Sequence, residues 1–193
     1  MKLTSKKALE MLNDAKGKTI TDLWITHSIC VGNTASIIAK ELNLDVDYAK
    51  TLGYIHDYGK AVGDFSKHDI NGFNYLKDLG YDEEYYSICL THGYLNNDFM
   101  CAAGGIPEDI PFRTEYIKTH KCSIYEKLIC LCDLMCMQEM IGIDKRLIDV
   151  IIRYGAYSNT QYHVKETYKL KEYFDNLLGY NLYKLFPDIE KYL

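Results

Sequence analysis

The chain is short of proline, with only three in 193 residues, and it carries no C-x-x-C pair, no long basic run and no apolar stretch of membrane-spanning length. Each shortage excludes something. Two of the prolines, Pro107 and Pro111, fall in one stretch, 96–112 (NNDFMCAAGGIPEDIPF), whose Asn, Gly and Pro content predicts the longest loop. Seven cysteines are an odd number, and a chain of this length needs no covalent staples, so they read as reduced, buried thiols of a cytoplasmic protein. The first residues, MKLTSKKALEML, lack the apolar core of a secretory signal, and a membrane location is not expected. A net charge of −5 argues against a nucleic-acid backbone as the main partner. A small phosphorylated substrate stays open, because a bound metal can supply the local positive charge.

Apolar residues are plentiful, at 48 %, which suits one domain with a proper core. Their spacing is helical. From Trp24, apolar or small residues recur at Ser28, Val31, Ala35, Ile38 and Leu42, one face of a helix. Asp45 is placed to cap a helix running to about His56. Further helices are expected over 68–79, ended by Gly80, and from Asp82 to about His92. A long one is expected from Ser123, with Glu126 completing a capping box, and others over 144–154 and 159–178. No alternating strand pattern, repeat or low-complexity segment is present. The expectation is an all-α, single-domain bundle of seven to nine helices spanning 1–193, with its core over about 20–140 and C-terminal helices over 144–193.

Several polar residues sit where burial makes them costly. The stretch 128–137 (LICLCDLMCM) is apolar or cysteine except for Asp133, and a helix apolar on all sides is buried. An unpaired carboxylate there costs several kcal/mol, so it needs a salt bridge, a hydrogen-bond network or a metal. His27 lies one turn from Trp24 and Val31, facing the same interior. The stretch 54–60 (YIHDYGK) sets His56 beside Asp57 at a predicted helix end, where Gly59 is expected to loosen the backbone so that the two side chains converge, with Lys60 following. Each of these residues is a good transition-metal ligand, and each lies among core residues.

His27, then His56–Asp57 in an H-D-x-G-K setting, then Asp133 in a late apolar helix: this order resembles the HD superfamily of metal-dependent phosphohydrolases. His68 with Gly72 four residues on, His92 at a helix end, and EKLICLCD (126–133) are similar to its dinuclear branch, which hydrolyses diadenosine tetraphosphate. The resemblance implies a helical HD-type domain whose first metal is held by His27, His56, Asp57 and Asp133. Asp57 would bridge to a second metal held with His68 and His92. It implies hydrolysis of a phosphoester or phosphoanhydride, in a nucleotide or other small phosphorylated substrate, by a metal-activated hydroxide. Mixed imidazole and carboxylate ligands suit iron or manganese, with zinc, nickel or cobalt as substitutes.

Asp57, Lys60 and His120 are the candidate catalytic residues. Lys60 is placed to contact a substrate phosphate. His120 is a rival to His92 as ligand or a substrate contact, across a segment, 93–119, longer than that branch leads one to expect. His163, in a polar helical pattern, is expected to be solvated. Other readings on the same residues are a mononuclear 5'-nucleotidase, a di-iron oxygenase on the same fold, and a non-catalytic metal or nucleotide sensor. A homodimer is compatible with the sequence.

Overall fold

The computed structural model describes residues 1–105 and 111–192. Among the described residues the chain is all-α. Nine α-helices occur: α1 (Ser5–Ala15), α2 (Leu23–Glu41), α3 (Val46–Ile55), α4 (His68–Asp78), α5 (Glu83–Thr91), α6 (Pro111–Thr119), α7 (Ile124–Asp133), α8 (Ile143–Tyr154) and α9 (Thr160–Leu178), with short 3-10 turns between some of them. Extended pairing is limited there to two isolated bridges, Tyr94 with Ala102 and Cys136 with Met140. No helix among the described residues is long and apolar enough to cross a membrane. All seven cysteines are free thiols, and five of them are buried.

The expected helix starts are made by the expected caps. The Asp45 carboxylate accepts the Tyr48 N–H at 3.0 Å. Ser123 and Glu126 close a reciprocal box, Glu126 N–H to Ser123 Oγ at 3.1 Å and Ser123 N–H to Glu126 Oε2 at 2.8 Å.

Two helices were not expected. α1 is capped by Thr4 and turns Ala8, Met11, Leu12 and Ala15 inward onto α3. α6 opens with Pro111, one of the residues on which the loop over 96–112 was expected; at a first helical position the missing N–H costs nothing. The loop expected over 96–112 is shortened by this helix, and its residues 106–110, with Pro107, lie outside the described residues. The helix expected to run long from Ser123 stops after ten residues at Asp133. The apolar run continues beyond it as a turn, held by Met135 N–H to Cys132 O at 3.0 Å and Ile141 N–H to Met135 O at 2.8 Å.

α2 and α3 form the hairpin that positions the site. His27 pairs across it with His56 and Gly32 with Gly53, so the two helices run antiparallel. A Cβ on Gly53 would lie 2.4 Å from the Gly32 Cα, so the backbones cross in direct contact and only glycine fits there. α7 packs against both helices, α4 and α5 pair beside them, and α9 lies on α7. The core is continuous through these layers, with Ile25, Ile38, Leu52, Ile55, Leu128 and Phe174 among its fully buried members.

Candidate metal centre

Five separate elements deliver polar side chains to one point. His27 comes from the second turn of α2, and His56 and Asp57 from the corner that ends α3. His68 is the first residue of α4, His92 caps the C-terminus of α5, and Asp133 is the last residue of α7. His56 and Asp57 are almost completely buried.

The corner is shaped by Gly59, though not by loosening the backbone as the sequence reading supposed. Its φ is not positive. A Cβ there would lie 1.8 Å from the His68 carbonyl oxygen and 2.5 Å from the Gly72 N. Glycine is needed because the corner presses directly onto the start of α4, and that contact carries His68 to Asp57.

Asp57 sits at the middle. His68 Nε2 lies 3.2 Å and His92 Nε2 3.7 Å from its Oδ1, while His56 Nε2 lies 3.7 Å from Oδ2. The Lys60 ammonium closes on Oδ2 at 2.5 Å. On the far side His27 Nε2 meets Asp133 Oδ1 at 3.0 Å. The His56 ring stands 5.2 Å from that of His27 and 5.0 Å from that of His92, between the two halves. Three overlapping groups have donor atoms within 4.8 Å of one another: His27–His56–Asp57, His56–His92–Asp133 and Asp57–His68–His92.

The four histidines share one orientation. Their Nδ1 atoms lie against backbone carbonyls: His27 on Met137 at 3.1 Å, His56 on Gly53 at 2.7 Å, His68 on Phe65 at 2.8 Å and His92 on Ile88 at 3.0 Å. A carbonyl only accepts, so each Nδ1 carries the proton and each Nε2 presents a lone pair inward. This is how proteins hold imidazoles for a metal. His56 Nε2 is buried with no hydrogen-bond partner, a costly state that an ion would relieve. Four imidazole lone pairs and two carboxylates therefore fit one or two divalent cations.

The electrostatics agree. Burial pushes the His56 pKa down to about 3, and burial also lowers that of His68, so both rings stay neutral as ligands must be. Burial works to raise the Asp57 pKa, but the Lys60 ammonium, with the surrounding histidines, holds it well below the usual carboxylate range. Asp133 behaves alike: burial opposes ionisation, and the adjoining His27 ring and the Arg146 guanidinium overcome it.

His120 is not brought to this cluster. Its Nε2 lies 2.8 Å from Glu126 Oε1, and its ring stacks on Tyr116 at 5.1 Å. Glu126 also accepts from Thr91 Oγ1 at 2.9 Å, so this pair ties α6 and α7 to α5 just behind His92. His163 is buried rather than solvated, and burial pushes its pKa down to about 4. The polar pattern of α9 concealed it because only one narrow face of that helix is covered.

A cleft of about 850 Å³ opens over the cluster, within the size range of small-molecule sites. His27, Asp57, Lys60, His68, His92 and Asp133 line its floor. Its walls hold residues that the sequence reading passed over. Arg113 of α6 pairs with Asp69 at 2.8 Å, and Arg146, Asp149 and Arg153 stand on one face of α8. Their three-and-four spacing on a helix was visible in the sequence, but nothing there said that α8 folds back over the cluster.

Comparison with known proteins agrees with this geometry. Ribonuclease Y of Fervidobacterium nodosum is 38 % identical over 71 residues, 35 % of this chain and 14 % of that protein. Ribonuclease Y of Acetivibrio thermocellus is 44 % identical over 48 residues, 25 % of this chain and 8 % of that protein. The chain thus spans only a small part of the length of these relatives. No solved structure matches. The HD domain model matches residues 24–137, more than half of the chain and a span that holds all six converging side chains. This chain belongs to the HD domain family.

Proposed function

We propose that the protein is a dinuclear metal-dependent phosphohydrolase acting on a nucleotide or another small phosphorylated compound. The observation that supports this best is the common orientation of the four imidazoles, each with Nδ1 on a backbone carbonyl and Nε2 turned toward two carboxylates. A redox-neutral hydrolysis needs no further cofactor.

Asp57 is assigned as the bridging ligand, since its two oxygens face different histidines. His27, His56 and Asp133 would hold one cation with it, and His68 and His92 the other. Divalent cations held there supply Lewis acidity, lowering the pKa of water and offsetting charge on the phosphoryl group. Iron or manganese is the proposed native pair, from the absence of thiolates in the set. Lys60 keeps Asp57 ionised and stands at the cleft floor, where its ammonium can meet a substrate oxygen. His120 is given a structural part instead, through Glu126. Residues 1–193 are taken as one functional unit working in the cytoplasm.

Dinucleoside polyphosphates are the proposed first substrates to try, from the likeness of His68, Gly72, His92 and 126–133 to the tetraphosphate-hydrolysing branch. The relatives' name makes RNA the second reading. Metal analysis of protein purified without chelator, then a phosphate-release screen over mononucleotides, dinucleoside polyphosphates and short RNAs, tests both. One metal per chain would favour the mononuclear nucleotidase. Oxygen uptake with a polyol would favour the oxygenase, and tight nucleotide binding without turnover the sensor. Metal-free protein with no release from any substrate would end the proposal.

A further inference from the structure

The chain contains only three arginines among its 22 basic Lys and Arg residues, and all three, Arg113, Arg146 and Arg153, line the cleft over the cluster. The many lysines suit a solvated surface, where a compact, strongly hydrated ammonium is enough. The planar guanidinium is the better group for gripping phosphate through paired N–H donors. The charged side chains lining the cleft balance: Lys60 and the three arginines against Asp57, Asp69, Asp133 and Asp149. Divalent cations would therefore make a neutral cleft positive, in a chain whose net charge is −5.

Arg146 stands nearest the ligands. Its Nε donates to the Asp133 carbonyl at 3.2 Å, its Nη2 to Asp133 Oδ1 at 3.4 Å and its Nη1 to Asp149 Oδ2 at 3.0 Å. Three of its five N–H groups are used there, which leaves two among the described residues. The same Asp149 oxygen accepts Arg153 Nε at 3.0 Å and Nη2 at 2.5 Å, so one carboxylate steadies two guanidiniums and leaves a net positive face. With its side chain only 14 % exposed, Arg146 is held in place before any substrate arrives.

We infer that Arg146 is a substrate-binding residue that grips a phosphoryl oxygen beyond those the metal stations engage, and that the site therefore takes a terminal phosphate and not an internal diester. This rests on the phosphohydrolase reading and narrows it. A terminal phosphate presents three non-bridging oxygens, an internal diester only two. Metals held at the two proposed stations would engage two of them. The third exists only in the terminal class, and Arg146 is the cation placed beside the ligand Asp133 to receive it. Phosphomonoesters and terminal phosphoanhydrides are the substrates this selects; the interior of an RNA strand is not, and neither are dinucleoside polyphosphates, whose phosphates are all internal, so mononucleotides move ahead of both in the screen.

The test is a binding measurement, independent of turnover. Titration calorimetry on the full chain loaded with manganese compares inorganic phosphate with dimethyl phosphate. Wild type should bind phosphate at least tenfold more tightly than the diester. Arg146→Lys, which keeps the charge but loses the fork, should weaken phosphate at least tenfold, change dimethyl phosphate less than threefold and leave the metal content unaltered. Unchanged phosphate affinity, equal losses for both anions, or loss of metal in that variant would each overturn the inference. Should Arg146→Lys fail to fold, wild-type protein still decides: inorganic phosphate should protect Arg146 from phenylglyoxal, read peptide by peptide, and no protection refutes the assignment. A protein that binds phosphate in this way yet turns over nothing would sink the hydrolase reading while leaving the anion site standing.

Discussion

Replacing Gly59 by alanine tests whether the corner after α3 sets the second metal station. The added Cβ would lie 1.8 Å from the His68 carbonyl oxygen, and contacts under 3.0 Å are essentially never seen, so the start of α4 must retreat by about 1.2 Å, the difference of the two. The obstacles are backbone atoms, and no rotamer relieves them. His68 Nε2 lies 3.2 Å from Asp57 Oδ1, so the retreat amounts to about a third of their separation. Misplacement of about 1 Å costs on the order of a hundredfold in rate. Overpacking adds about 1–3 kcal/mol of destabilisation, a modest drop in melting temperature for a chain of this size. His27 and Asp133 sit on α2 and α7, and His56 caps the end of α3, so their station should persist. The expected outcome is folded protein with one metal per chain in place of two, and phosphate release down about a hundredfold. Elemental analysis of gel-filtered protein and a phosphate-release assay read both. Gly63→Ala is the control: its Cβ would meet only the Asn71 side chain, at 2.3 Å, which can swing aside. If Gly59→Ala keeps two metals and the wild-type rate, the close contact does not govern ligand placement and the argument fails.

Other expectations follow from the same geometry. His68→Ala should halve the bound metal and cost at least about a hundredfold in rate, whereas His120→Ala should keep all metal and lose about 1–2 kcal/mol of stability; the reverse pattern by elemental analysis would put His120 back among the ligands. Asp133→Ala should strip the first station and abolish turnover, and full metal content with normal activity would make Asp133 structural. Glu126→Gln tests the pair behind His92 by pH. The Glu126 hydrogen bond raises the His120 pKa above 6.5, so that contribution is full below 6.5 and fades as pH rises through the folded value. Despite burial, His120 and Ser123 lower the Glu126 pKa below 4.5, so its contribution is present above 4.5 and lost as pH falls through the folded value. The melting-temperature gap between wild type and Glu126→Gln should therefore be widest between about pH 4.5 and 6.5 and narrow toward pH 8.5, as followed by scanning calorimetry. A gap that grows with rising pH would contradict the assignment.

The sequence by itself determined the helical class and much of the cluster of converging side chains, because both rest on local rules. Helical spacing and side-chain caps such as Asp45 and Ser123 act within a few residues, so those helices were legible. His27, His56, Asp57 and Asp133 stood out because a polar group among apolar neighbours needs a partner wherever the chain goes. What lies between distant segments was not legible. His92, at a predicted helix end, and His120, across the 93–119 segment, stood as rivals, and only packing turned one to Asp57 and the other to Glu126. Gly59 read as a loosened backbone, but its reason is a carbonyl on another helix. α1 and α6 were missed because Thr4 and Pro111 are ambiguous signals until a core is there to receive the helix. The swing of α8 over the cleft, which sets Arg146 against Asp133, was beyond reach, since contacts between segments depend on the whole pattern of burial and not on any stretch of sequence near them.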